Sequence, residues 1–251
     1  MDLLSLGNLV VTYARAQQPA LSDVSLDVAS GTRIGIIGES GSGKSTLAQA
    51  VAGILPRSAH VSGKIEWPGL TSPPVSGRDV GMVFQDPSTS LDPVMAVGAQ
   101  IAEVAYTHLG LTWRQAHARS VELIGKMQLP NPEQLASAYP HQLSGGQRQR
   151  IAIAAAIAAE PKLLIADEAT SALDTIVQAD IVKLLDGLVR NSGMTLIFIS
   201  HDIALASQLV DRIAVFRNAS LVEVGDTEAI LRKPKTRYTR TLIEAHLGIE
   251  A

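Results

Sequence analysis

The 251-residue chain has 46% hydrophobic and 18% charged side chains, enough apolar surface for one large domain or two small ones and too few charges for a disordered or fibrous chain. Its net charge of −3 argues against a dedicated nucleic-acid binder, which uses a basic excess to displace counterions from phosphates. With no cysteine, disulfides, thiolate metal sites and iron–sulfur clusters are excluded, and the composition suits a reducing compartment.

The start, Met1-Asp2-Leu3-Leu4, lacks the basic segment and apolar run of a signal peptide. The longest apolar stretch, residues 151–165, is broken by Glu160, Pro161 and Lys162, and a membrane span needs about 20 apolar residues. The expectation is a soluble chain that meets a membrane only through partners.

In chain order, residues 3–11 and 21–28 read as strands joined by turn chemistry at Gln17-Gln18-Pro19. Residues 33–37 form a β-branched run feeding a glycine-rich loop, and a helix is expected over 46–55, stopped by Pro56. Strands follow at 63–67 and 80–84, separated by a Pro/Ser/Gly loop over 71–77. The texture then turns helical, over 97–109, 113–127 and 147–159. Residues 163–166 and 195–199 read as buried strands flanking a helix over 179–189. A helix over 203–210, strands at 213–216 and 221–224, and helices over 227–231 and 238–246 complete the pattern. Apolar strands alternating with helices predict an α/β fold with a mostly parallel sheet covered on both faces. An N-terminal antiparallel β portion precedes it, and a helical subdomain, about 88–160, is inserted into a single domain spanning 1–251.

Gly38-Glu39-Ser40-Gly41-Ser42-Gly43-Lys44-Ser45 fits G-x-x-x-x-G-K-[ST] between a predicted strand and a predicted helix, the context of a P-loop NTPase core. Glycines let successive N–H groups curl toward phosphate oxygens, and the helix start adds partial positive charge. Lys44 can reach the β and γ phosphates of ATP, and the Ser45 hydroxyl can ligate Mg²⁺. Thr46, next in the helix, is counted with the nucleotide-binding residues.

Asp167-Glu168 closes the apolar run 163–166. Alone, such a pair is an ordinary loop start. Beside a phosphate loop, Asp167 suits Mg²⁺ and Glu168 suits orienting or deprotonating water. Leu143-Ser144-Gly145-Gly146-Gln147 precedes an apolar helix. It reads either as a turn with Ser144 capping the helix or as a second anion-binding nest. One nucleotide needs one phosphate loop, so a second nest has a separate purpose.

Taken together, these residues resemble the ABC ATPases, whose signature sequence Leu143–Gln147 matches, and the motifs stand in the family's order along nearly the whole chain. Gln85 resembles the Q-loop glutamine, Ser171-Ala172-Leu173-Asp174 the D-loop, His201 the switch histidine, and Tyr13 the aromatic that stacks on adenine. The resemblance implies a head-to-tail dimer, with ATP between the phosphate loop of one subunit and the Ser144–Gln147 nest of the other. It implies Glu168 as catalytic base, His201 on the γ-phosphate, Gln85 with Ser45 and Asp167 at the metal, and Asp174 lining the interface.

Residues 84–93, Tyr139-Pro140-His141-Gln142 and the tail Tyr238-Thr239-Arg240-Thr241-Leu242 are similar to the peptide and nickel importer branch. That branch implies two membrane permeases, a second ATPase subunit (identical or different), indirectly a solute-binding protein, and a peripheral position on the cytoplasmic face of the cell membrane. Ala169 departs from the family's usual proline, residues 67–81 are shorter than usual for the branch, and the early end leans toward its nickel and metal-chelate members. A soluble ATPase within an enzyme assembly is the alternative. A nucleic-acid machine is disfavoured by charge and by the lack of room for a coiled coil.

Overall fold

Alternating burial along the first strands makes a sheet with one wet face. The computed structural model describes residues 1–171 and 173–247, with backbone alone at 88, 89 and 247. Ala172, inside the expected D-loop, and residues 248–251 lie outside the described residues. The backbone divides into two units, Met1–Pro74 with Val189–Ala251, and Val75–Leu188.

In the first unit, β1 (Asp2–Thr12) pairs antiparallel with β2 (Leu21–Ala29) and β4 (His60–Glu66). Leu21, Val24, Leu26 and Val28 point inward at every second or third position of β2. The strands β3 (Arg33–Ile37), β7 (Thr195–Ser200) and β8 (Arg212–Arg217) are instead almost wholly buried. That is the pattern of parallel strands covered on both faces, and β3 pairs parallel with both of the others. The strand β9 (Ser220–Asp226) returns antiparallel on β8. Helices α1 (Lys44–Ala52), α8 (Ile203–Ser207), α9 (Thr227–Arg232) and α10 (Arg237–Leu247) belong to this unit.

In the second unit, β5 (Val80–Val83) lies parallel to β6 (Leu163–Asp167). Between them the chain is helical: α2 (Pro87–Ser90), α3 (Val97–Leu109), α4 (Trp113–Lys126), α5 (Pro132–Ala136), a 3₁₀ turn (Pro140–Gln142) and α6 (Gly145–Ala156). Helix α7 spans Thr175–Ser192. Parallel strands with helices and an antiparallel N-terminal sheet are the α/β class expected.

Helix ends differ from expectation for local reasons. Helix α1 stops at Ala52 rather than near Pro56, because Gly53 turns left-handed at φ 70° and ends the helical path. Helix α7 begins four residues before the expected 179, because Asp174 Oδ1 accepts the Val177 N–H at 3.0 Å and caps an earlier turn. Helix α8 ends at Ser207 rather than 210. The short pieces α2 and α5 each begin at a proline and are too brief to show a period.

Candidate functional site

The phosphate-loop sequence folds where β3 hands over to α1, and two glycines explain why. A Cβ at Gly38 would fall 2.2 Å from the Phe216 carbonyl oxygen. Gly43 has φ +101°, and a Cβ there would fall 2.5 Å from the Ala20 carbonyl oxygen. Only glycine lets the loop pass that close to β2 and β8. The β8–β9 turn clasps the loop from outside, the Ala219 N–H donating to the Ser42 carbonyl at 3.2 Å. Lys44 is 4% exposed, and its Nζ donates to the carbonyl oxygens of Gly38 and Glu39, both at 2.9 Å. Ser42 Oγ is buried with no hydrogen-bond partner among the described residues. A turn that only glycine can make, a buried ammonium held by dipoles and an orphaned hydroxyl fit an anionic phosphate chain.

Tyr13 and His201 belong to the same unit. The Tyr13 hydroxyl lies 3.2 Å from Thr46 Oγ1 and donates to Gln49 Oε1 at 3.3 Å, so the aromatic stands against the first turns of α1. His201 follows β7, and the register sets Ile37 opposite Ser200. Gly38 and His201 therefore leave the sheet at the same end, where parallel strands present functional groups. Asp202 caps α8, its Oδ1 accepting the Leu205 N–H at 3.0 Å.

The second unit carries the remaining candidates. Val83 pairs with Ala166, so Gln85, two residues past β5, and Asp167, the last residue of β6, stand at the same carboxyl end of adjacent strands. Asp167 is 5% exposed and Glu168 half-buried. Glu168 sits at φ 46°, uncommon for a residue with a Cβ. Its carbonyl accepts from the Ser171 N–H and hydroxyl, both at 3.0 Å, which fixes the turn. Ser144 and Gln147 form a reciprocal capping box: Ser144 Oγ accepts the Gln147 N–H at 3.3 Å, and Gln147 Oε1 accepts the Ser144 N–H at 2.9 Å. Gly145 and Gly146 thus open α6 as a capped helix start. Asp174 caps α7 and is exposed.

Three contacts carried no sequence signal. Gln178 Nε2 donates to the carbonyls of Thr170 (2.9 Å) and Leu173 (3.1 Å), tying the D-loop stretch to α7. Gln49 meets Tyr13, and Tyr238 meets Glu39 from 199 residues away. The last two pairs are too far apart in sequence for a local pattern to join them, and Gln178 reaches backbone carbonyls, which every residue carries.

The ABC transporter family matches residues 21–171. A peptidoglycan transport ATP-binding protein, YejF, of Agrobacterium fabrum is 42% identical over 97% of this chain and 47% of its own length. The chain thus spans about half of that relative. The dipeptide transport ATP-binding protein DppD of Haemophilus influenzae is 41% identical over 98% of this chain and 78% of its own. The metal-staphylopine import ATP-binding protein CntD of Staphylococcus aureus is 36% identical over 97% of this chain and 93% of its own. A dimeric ATP-binding cassette, MJ0796, in a post-hydrolysis state with ADP and Pi superposes with a TM-score of 0.77 at 27% identity. It covers 89% of this chain and 98% of that one. The chain belongs to the ABC transporter family and is an ATP-hydrolysing cassette of it. Among the described residues, no helix is long and apolar enough to cross a membrane.

Proposed function

We propose that the chain is the ATPase subunit of an importer. Two such subunits, identical or different, close head-to-tail on ATP and drive uptake through two separate permeases, from the cytoplasmic face of the membrane. Residues 1–251 act as one cassette, and the helical segment, about 88–160, meets the permease. The solute is a peptide or a metal chelate, such as a nickel complex, delivered by a solute-binding protein. The names of the DppD and CntD relatives support this class.

The observation that carries the nucleotide half is the phosphate cradle, closed to any side chain at Gly38 and Gly43 and holding the buried Lys44 ammonium. Ser40, Gly41 and Gly43 turn their N–H groups to the phosphates, Ser42 offers its orphaned hydroxyl, and Ser45 and Thr46 add the positive end of α1. Lys44 exchanges its two carbonyl partners for phosphate oxygens, and Tyr13 stacks on the adenine. Ser45, Gln85 and Asp167 would hold Mg²⁺, which would supply charge neutralisation for the phosphate chain. One hydroxyl, one amide and one carboxylate suit that ion, which keeps waters and takes substrate oxygens rather than a full protein cage. Glu168 takes a proton from the attacking water, and His201 donates to the γ-phosphate. The Ser144–Gln147 nest closes over the phosphate held by the other subunit, with Asp174 lining the interface.

The first test is ATP turnover and light-scattering mass for the parent chain and Glu168→Gln. Loss of turnover, with a mass that doubles only on adding ATP, is expected. Parental turnover in the variant would remove Glu168 as the base. The importer half is tested by capture of the tagged chain from solubilised native membranes. Two multi-span permeases are expected, and recovery with soluble enzymes alone would overturn it.

A further inference from the structure

The C-terminal segment takes no part in the chemistry above, yet it is built onto the phosphate loop. Glu223 of β9 accepts the N–H groups of Lys235 at 2.7 Å and Thr236 at 3.1 Å, which anchors the turn after Pro234. Thr236 Oγ1 then accepts the Thr239 N–H at 3.1 Å and caps α10, whose Leu242 and Ile243 are buried. This sets Tyr238, in the first turn of α10, against Glu39. The Glu39 N–H donates to Tyr238 Oη in a long hydrogen bond of 3.4 Å. The Arg217 guanidinium lies 4.6 Å from the ring centroid, a cation–π contact from the end of β8. Burial, aided by the neighbouring Glu39 carboxylate, pushes the Tyr238 phenol above its usual range, so the hydroxyl keeps its proton at neutral pH.

The carbonyl of the same residue accepts from Lys44 Nζ at 2.9 Å and from the Ser42 N–H at 3.2 Å. Glu39 is thus held through its N–H by the tail and through its carbonyl by the loop's own lysine and serine. Glu39 stands ahead of the Gly41–Gly43 turn, so the Tyr238 hydroxyl meets the loop before that turn begins.

We infer that Tyr238 is a positioning residue for the nucleotide site: from α10, 199 residues along the chain, its hydroxyl fixes Glu39 and so pre-forms the loop that receives ATP. The inference rests on the nucleotide reading of Gly38–Ser45. A loop ordered beforehand loses less conformational freedom when ligand binds, and the saving appears as affinity.

The test is calorimetric titration of the full chain with ATP, alongside steady-state kinetics and thermal melting without nucleotide. Tyr238→Phe keeps the ring under Arg217 and removes only the hydroxyl. ATP affinity is expected to fall about fivefold, the worth of one modest hydrogen bond. KM should rise with kcat unchanged, and the unliganded Tm should stay within about 2 °C of the parent. Arg217→Gln, which loosens the ring without touching the loop, should weaken ATP about twofold, and it carries the test if Tyr238→Phe does not fold. Parental ATP affinity in Tyr238→Phe overturns the inference, and so does a lowered Tm with unchanged affinity, which would make the tail merely structural. If the parent itself fails to bind ATP, the reading of the loop has failed, and the role of Tyr238 falls with it.

Discussion

At the residue scale, Lys44 shows how the site stores readiness. An ammonium at 4% exposure loses most of its hydration, and the carbonyl dipoles of Gly38 and Glu39 stand in for part of the lost water. A phosphate chain therefore meets a cation already desolvated and aimed. The glycines around it make a graded prediction. Gly38→Ala and Gly43→Ala force backbone against Cβ and should each cost about 2–3 kcal/mol of stability in urea unfolding, with ATP binding lost. Gly41→Ala meets nothing within 4 Å and strains only its φ of +79°, so about 1 kcal/mol is expected. Equal costs at all three positions would mean that the close approach does not matter. Ser144 supplies a second case, because its hydroxyl both caps α6 and is proposed to meet the partner's phosphate. Ser144→Gly should cost only a few tenths of a kcal/mol, since glycine is a tolerable cap, yet turnover should fall at least tenfold. Turnover that merely tracks stability would leave Ser144 as a cap alone.

At the scale of elements, parallel register delivers the candidates. Pairing of Ile37 with Ser200 brings out Gly38 and His201 together, and pairing of Val83 with Ala166 does the same for Gln85 and Asp167. Four short apolar runs thus become two pairs of delivery points. The turn that opens the C-terminal tail is anchored by one carboxylate, that of Glu223. Burial alone would raise the Glu223 carboxyl, but hydrogen bonds from the Thr239 hydroxyl and from the N–H groups of Lys235 and Thr236 outweigh it and hold it below the usual range. A carboxylate depressed on folding stabilises above its unfolded value, 4.5, and loses that contribution as pH falls through the lower folded value. Glu223→Gln should therefore melt below the parent at pH 7, with the gap closing as pH falls below 4.5 and through the lower folded value. A gap that stayed constant across this window would show that the charge is not what anchors the tail.

At the scale of the whole molecule, the proposed head-to-tail pairing would make each ATP site a composite of two chains, and in a pair of identical chains two-fold symmetry would make the two sites equivalent. Lys44→Ala and Gly145→Asp variants should each be inactive alone. Mixed in equal amounts, half the dimers pair the two variants, and each such dimer keeps one intact loop facing one intact nest. Turnover should return to about a quarter of the parent's if the sites act independently. A mixture as dead as its components would place loop and nest of one site in a single chain.

The phosphate loop, the acidic pair, the glycine nest and the order of strands and helices were legible in the sequence. Backbone curvature, parallel burial and helix capping are local demands that write themselves into spacing and residue type. Helix ends were less legible where one side chain decided them, as Asp174 did for α7. What only the tertiary structure decided were contacts between residues remote in sequence: Phe216 and Ala20 pressing on the loop glycines, Tyr13 on Thr46, and Tyr238 on Glu39. The chain alone determined which residues can do phosphate chemistry, because that ability resides in the groups themselves. Which neighbours hold those groups ready follows from packing, where strand register and helix docking bring distant positions within hydrogen-bond reach.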